Sequence, residues 1–455
     1  MPGTALTSDE RLLVSRLRAK AGRQRKDLLR LERYRDGAQH LRMMGLTVPP
    51  ELRGFETVIN VPGMAVREPV MRQELRGFQR SASGSTGAVD QGLQDAWDFN
   101  NMASQSIRAH MFARTFGRAF VCVGWDDDTA ESPTISVESP VDFAVDADVV
   151  HRKITAALKT YRDGQSVNGV LYLPDETVWI EAGPSGWQAA DRYRHGLGAV
   201  PVVSLVNRGW ADPVCGQTEM NDVIDMTDAI ARMITNMQMA GEFLALPHRW
   251  ASGIDPSEFF DENGNETPVW ESYLTILRAT KSENAKFGSF DVAELDNFNK
   301  AVNNMLSWCA AMLGLPTRFM GQQTVNPASE GAIVADEVRL VRNVELMNRS
   351  DGDSWAWVMQ LYERLQTGEW PQRNSIRALW HNPATPTYSQ RADAIVKMMS
   401  GNIPVLSREG AWDELGWTEE RKQREREYFA AQQTDPLVQL AADVMSGTTN
   451  AASGN

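Results

Sequence analysis

Between Gly314 and Trp355 the chain reads GLPTRFMGQQTVNPASEGAIVADEVRLVRNVELMNRSDGDSW: a helix stop, a polar loop and a helix restart in direct succession. Upstream, Leu295, Phe298, Val302, Met305, Leu306, Cys309 and Leu313 recur at helical spacing. Gly314 and Pro316 end that helix, because glycine accepts the left-handed cap and proline cannot continue the hydrogen-bond ladder. Gln322, Gln323 and Thr324 make an uncharged loop. Asn326 is placed to cap the next helix, and Pro327 suits its first turn, where no backbone donor is needed. Ile333, Leu340, Val341, Val344 and Met347 then form one apolar stripe running towards Trp355 and Trp357. Two long helices joined by an exposed, uncharged loop make a poor catalytic site and a good structural element with a projecting tip.

The rest of the chain sets the limits. Its 455 residues suffice for two or three domains, with 42% hydrophobic and 23% charged residues, an ordinary globular balance. A formal charge of −13 argues against a generally DNA-adhesive surface. It is compatible with a surface past which DNA slides, since an acidic wall repels phosphate. Cys122, Cys215 and Cys309 are far apart, which gives neither a disulfide framework nor a zinc ribbon and fits a reducing compartment. The N-terminus lacks a signal-peptide apolar core, and no apolar run approaches the roughly 20 residues of a membrane span. The best runs, Ala119 to Trp125 and Ala199 to Val206, have the length of buried strands.

Ser8 to Arg35 reads as one basic helix with Leu12, Leu13, Leu17, Leu28 and Leu31 as its apolar positions. It is either a solvated face or a basic arm that touches an acidic neighbouring subunit or nucleic acid. YRDG (Tyr34 to Gly37), RGF (Arg53 to Phe55) and LRGF (Leu75 to Phe78) follow, with SASGSTG (Ser81 to Gly87) as a low-complexity loop. One helix is predicted through Leu93, Trp97, Met102, Ile107, Met111 and Phe112. From Gly117, RAFVCVGW, PTISVES, DFAVDAD, KITAALKTY, GVLYLP and TVWIEAG are short β-rich runs too closely spaced for intervening helices, so an antiparallel sheet is predicted. A second long helix is predicted from about Gln217 to Leu246, with Asp222, Asp225 and Asp228 along its first turns. Leu246 to Ser289 is a Pro-, Gly-, Asp- and Asn-rich interruption containing WESYLTILRA. Asp291 with Glu294 has the spacing of a capping box at the start of the helix to Leu313. Further on, SIRALWHN is a strand candidate, NPATPT a linker, Tyr388 to Met399 and Thr418 to Ala431 are helical, and the terminal SGTTNAASGN is expected to be disordered.

Enzyme signatures are missing. No Gly-Lys pair occurs, so there is no phosphate-cradling P-loop. His40, His110, His151, His195, His248 and His381 show no metal-ligand spacing and read as structural or surface residues. No GxSxG elbow is present. Asp126, Asp127 and Asp128 read as a solvated hairpin tip ahead of a divalent-ion site. DENGNE (Asp261 to Glu266) has its glycine too early for an EF-hand. No catalytic residue, cofactor or metal is expected.

In their order along the chain, YRDG, LRGF, Asn100, Asn101, His110, GRAFV, the paired long helices around an insertion, GLP and NPAS resemble the portal proteins of tailed bacteriophages, specifically the SPP1-type portal family. The likeness spans about Tyr34 to Met399, and it departs from the family pattern where ETVINVPGM stands in place of a segment with a Trp. It implies an α+β portal fold with long stem and wing helices, a β-rich wing domain, a small clip insertion and a helical C-terminal crown. The implied domains are 1–216, the N-terminal wing; 217–313, stem helices flanking a clip at about 246–289; 314–365, the tunnel loop and long wing helix; and 366–455, a wing strand, linker and crown. The family implies a ring of twelve copies at one capsid vertex, through which double-stranded DNA passes without sequence specificity. Implied partners are the terminase large subunit, the head–tail adaptor or connector, and the major capsid and scaffolding proteins, with no membrane. The implied location is the virion, with host cytoplasm during assembly. Arg318, Gln322, Gln323, Thr324 and Asn326 become the candidate channel loop. Asp222, Asp225 and Asp228 line the channel or serve only the helix terminus. Arg339, Arg342, Glu337 and Glu345, beside Asp336, pair within their helix or across subunits. The alternatives are a metal-dependent nuclease subunit built on Asp126–Asp128 or Asp142, Asp146 and Asp148, and another head–tail adaptor.

Overall fold

The computed structural model describes residues 5–39, 57–80, 89–125, 132–184, 186–209, 214–244, 249–252, 284, 286–289, 295–321, 330–372, 375–384, 388–400, 404–417 and 419–434. The chain divides into two compact units, Met1–Pro383 and Ala384–Asn455.

In the first unit, helix α1 (Ser8–Asp36) opens on a capping box. The Thr7 hydroxyl accepts from the Glu10 N–H at 3.2 Å, and the Glu10 carboxylate accepts from the Thr7 N–H at 2.7 Å. Gly37, at φ 69°, closes the helix in the left-handed conformation. Helix α2 (Val61–Val70) and strand β1 (Leu75–Arg80) follow. The single helix predicted through Leu93 to Phe112 is two, α3 (Gln91–Phe99) and α4 (Met102–Phe116). The break is made by two asparagines. Asn101 sits at φ 52°, and the Asn100 amide donates to the Ala96 carbonyl and accepts from the Ile135 N–H. Such local bonds compete with helix.

Six predicted β runs are strands: β2 (Arg118–Gly124), β3 (Thr134–Glu138), β4 (Phe143–Asp148), β5 (Lys153–Asp163), β6 (Ser166–Tyr172) and β7 (Glu176–Gly183). The sequence reading misses β8 (Gly186–Arg194), whose WQAADRY core lacks β-branched residues. β4 to β8 form one antiparallel meander in chain order. β9 (Val202–Val206) lies beside β2 in a second antiparallel sheet, ordered β3-β2-β9.

Helix α5 (Ile224–Leu244) begins about seven residues later than predicted, because the segment before it bonds elsewhere. The Gln217 N–H donates to the Asn207 carbonyl, and the Thr218 hydroxyl to that of Arg114. β10 (Arg249–Ser252) and β11 (Lys286–Ser289) pair antiparallel, so the insertion begins and ends at one place. WESYLTILRA, DENGNE and the Asp291–Glu294 spacing lie outside the described residues, as do RGF at Arg53 to Phe55 and SASGSTG. α6 (Asp296–Leu313) and the 38-residue α7 (Glu330–Thr367) complete the helical layer. β12 (Ile376–Trp380) pairs antiparallel with β1 across about 300 residues of chain.

α7 serves two cores. Its first half contributes Leu340 and Val344 to a cluster with Ile230 and Ile234 of α5 and Val302, Leu306 and Cys309 of α6. Its second half contributes Trp355, Val358, Met359, Leu361 and Tyr362 to a cluster with α4, β2 and β9. The second unit holds α8 (Tyr388–Met399), α9 (Arg408–Glu414) and α10 (Glu419–Thr434). There Trp412 stacks on Trp417 and Phe429, and Arg421 lies 4.2 Å over the Trp417 ring.

Candidate functional site

The turn between α6 and α7 is built by two left-handed glycines. Gly314, at φ 68°, sends its N–H back to the Ala311 carbonyl at 3.3 Å. Leu315 sends its own to Ala310, and Pro316 forbids further helix. One 3-10 turn, Thr317–Met320, leads to Gly321 at φ 78°. Gln322, Gln323, Thr324 and Asn326, with Pro327, lie outside the described residues.

The loop's root is clamped. Arg318 reaches across to α7, donating to Asp336 at 2.9 Å and pairing with Glu337. Glu337 also takes Arg72, from just after α2, at 2.9 Å, and both side chains are largely buried. One carboxylate thus joins two guanidiniums from segments far apart in sequence, a geometry suited to charge-assisted hydrogen bonds. Arg339 donates to the Ala311 carbonyl at 3.2 Å, capping the C-terminus of α6. Arg342 and Glu345 pair with each other, three residues apart on α7, at 2.7 Å.

The three aspartates before and within α5 have separate surroundings. Asp222 faces Arg208 at 3.3 Å. Asp228 accepts from the buried Tyr34 hydroxyl at 2.9 Å, and burial, then this carboxylate, raises the phenol's pKa. Asp225 is exposed. Asp222 lies in the turn before α5, and on the helix itself Asp225 and Asp228 stand about 60° apart.

Sequence reasoning misses the most buried polar assembly. Arg114 of α4 and Asp351 of α7, 1% and 0% exposed at their side chains, form an ion pair. Arg114 also donates to Asn207 at 2.6 Å and to Gln73 at 3.2 Å. Gln73 donates to Asp351 at 2.9 Å and to Asn348 at 3.1 Å. Asn207 donates to Glu219 at 2.9 Å, and Arg208 pairs with Glu219 at 2.7 Å. Beside them Trp355 donates its indole N–H to Nε2 of His110 at 3.0 Å. Burial holds His110 neutral, with a pKa pushed down to about 4. The available signal was polar residues on an apolar stripe: Asn348 and Asp351 continue the spacing of Leu340 and Val344. This hub locks α4, α7, the end of β9 and the lead-in to α5 into one register. A pair of glycines permits the close approach. A Cβ on Gly216 would stand 1.8 Å from the Asn207 carbonyl oxygen.

The remaining candidate carboxylates among the described residues have basic partners. Asp142 pairs with Arg25, and Asp146 with Arg16 and Lys20, so the basic α1 lies against acids of its own chain. Asp148 holds His151 at 2.6 Å. Asp126, Asp127 and Asp128 lie outside the described residues. Among the described residues no group of three or more His, Cys, Asp or Glu is placed to hold a metal ion, and no helix is long and apolar enough to cross a membrane.

The profile of the phage portal proteins of SPP1 Gp6-like type matches residues 78–435. The portal protein of Mycobacterium phage L5 is 30% identical over 419 residues, covering 89% of this chain and 85% of that protein. That of Mycobacterium phage D29 is 30% identical over 401 residues, covering 85% and 81%. Among solved structures, a chain from the neck of an empty GTA particle computed with C6 symmetry aligns at a TM-score of 0.49 and 12% identity. That alignment covers 86% of this chain and 94% of the other.

Proposed function

The chain belongs to the SPP1 Gp6-like phage portal proteins and is a portal vertex subunit; on that premise we propose that twelve copies close into a ring around a channel for double-stranded DNA. DNA passes without sequence-specific contact, during both packaging and ejection. In this reading α5 and α6 are the stem and about 246–289 is the clip, which seats the terminase large subunit and later the head–tail connector. Residues 1–216 form the wing, 314–365 the tunnel loop with the long wing helix, and 366–455 a wing strand, linker and crown. The ring sits at the capsid vertex among major capsid and scaffolding proteins after assembling in the host cytoplasm. The work is passive, with no reaction catalysed.

One observation carries the reading: the break between α6 and α7, whose root is fixed by Glu337 between Arg72 and Arg318. DNA then slides past the uncharged residues Gln322, Gln323 and Thr324, which avoid strong ion pairing with phosphate. Arg318 is then the loop's anchor, and Asn326 its far end. Of the three aspartates, Asp225 is assigned to the channel wall, since Asp222 and Asp228 have partners.

Native mass measurement and class averages of the purified full chain test the ring, and persistent monomers refute it. Replacing Asn326 and Pro327 by Gly tests the loop. Rings are expected to form while packaging falls, and wild-type packaging would refute the role of loop geometry.

A further inference from the structure

The five-stranded meander carries an apolar point on one side and a cleft on the other. The point is the turn between β4 and β5, where Val149 and Val150 are 69% and 85% exposed. It is held firmly. One Asp148 oxygen accepts from the Val150 N–H at 2.8 Å and the His151 N–H at 3.1 Å, while the other holds the His151 ring at 2.6 Å. Arg152 completes the turn at φ 53°, a backbone conformation that non-glycine residues rarely adopt. Two valines displayed on a fixed turn gain nothing for the folded chain.

The cleft is lined mainly by β6, β7 and β8 together with Cys122 to Trp125, and has a volume of about 690 Å³. Its walls include Tyr161, Tyr172, Trp179 and Tyr193. Three buried polar atoms of its lining lack partners, the Asn168 side-chain oxygen, Arg192 Nε and His195 Nε2. The Leu197 N–H donates to Nδ1 of His195, which leaves Nε2 carrying the ring proton. The cleft therefore offers donors at Arg192 and His195 and an acceptor at Asn168, groups that a stretch of main chain satisfies. Glu181 and Asp191, both exposed, line it, whereas the valine turn is followed by exposed Arg152 and Lys153.

β4 is an edge strand of the sheet, and the cleft lies over the strands towards the opposite edge, so a rigid turn cannot reach its own cleft. The two features can meet only between copies, in the head-to-tail manner that a closed ring requires. We propose that the Val149–Val150 turn of each copy inserts into the β6–β8 cleft of the next. The valines meet the aromatic wall, the turn's main chain satisfies Asn168 and His195, and Arg152 and Lys153 face Glu181 and Asp191. The proposal rests on the ring reading and adds its contact residues.

Disulfide trapping tests it in a full chain whose free Cys122, Cys215 and Cys309 are replaced by Ala, using Val150→Cys, Ala190→Cys in the cleft, and the two combined. Under mild oxidation the combined variant should give a ladder of covalent multimers extending past the dimer. An equimolar mixture of the two single variants should stop at dimers. Dimers formed by Val150→Cys alone, absent from Ala190→Cys, would mean a symmetric turn-to-turn contact and overturn the proposal. Native mass of the wild type reads the ring separately. Wild-type rings without a ladder in the combined variant would refute the insertion and leave the ring standing. Wild-type monomers with no ladder would refute both.

Discussion

Arg114→Met tests the buried hub most directly, because it keeps a long side chain and deletes one charge. Asp351, 0% exposed, would retain only the Gln73 amide at 2.9 Å and a neutral His110 at 3.9 Å. A buried carboxylate stripped of its cation costs about 3–5 kcal/mol. Asp351→Leu leaves the Arg114 guanidinium equally stranded and should cost as much. The double variant leaves neither charge and should cost far less than the sum, since apolar replacements of buried pairs are often near neutral. For the unit Met1–Pro383, an unfolding entropy of about 2.1 cal/mol/K per residue makes each kcal/mol worth about 1.2 °C. Each single variant should therefore melt about 4–6 °C below wild type, and the double within about 2 °C of it. Scanning calorimetry near neutral pH reads all four proteins. Additive losses in the double variant, or an Arg114→Met protein melting with wild type, would show that the charges do not depend on each other and refute the hub.

Three further outcomes follow from other parts of the fold. His110, pushed by burial from 6.5 to about 4, binds its proton more readily unfolded, so stability should fall as pH drops from about 6.5 to about 4, by about 3 kcal/mol in total; His110→Gln should flatten that limb of a melting-temperature profile against pH. Gly216→Ala should abolish soluble expression, its Cβ standing 1.8 Å from a carbonyl oxygen, whereas Gly22→Ala in α1, with nothing within 4 Å, should raise stability by about 0.5–1 kcal/mol in urea titrations. Asp225→Lys, on the proposed channel wall, should make DNA retention by purified rings stronger and steeper in salt, and retention unchanged at two salt concentrations would move Asp225 off the channel.

What the sequence disclosed follows the range of the interactions involved. Helix α1 was legible to within a residue, because the spacing of Leu12, Leu13, Leu17, Leu28 and Leu31 is a local signal. The strands from Arg118 to Gly183 are short runs bounded by turn residues and too close for intervening helices, so their antiparallel pairing was legible, but their division between two sheets was not. The pairing of β1 with β12 was not, since nothing in Leu75 to Arg80 names a partner 300 residues away. Helix α5 was drawn too long because Gln217 to Val223 has helical composition, and only tertiary bonds to Asn207 and Arg114 withhold it. At the candidate site, the glycine and proline stops were plain in the sequence. The partners of Arg318 and Glu337 were not, because Arg72 comes from a distant segment. The hub escaped notice because isolated charges on a helix read as solvated until burial is known.

α7 enters two cores with one rigid rod, and this bears on which mutations a phage lineage can inherit. A single codon inserted between Val344 and Trp355 would turn one half of the helix by about 100° against the other and slide it by about 1.5 Å. Leu340 and Val344, or Trp355 and Tyr362, would then face water. Seven inserted codons would leave a rotational error of only about 20°, but would displace the halves by about 10.5 Å. Length change in this stretch is therefore closed to gradual evolution, whereas point substitution on its exposed face stays open. Divergence should accumulate there as altered letters, and as altered length only in the segments outside the helix.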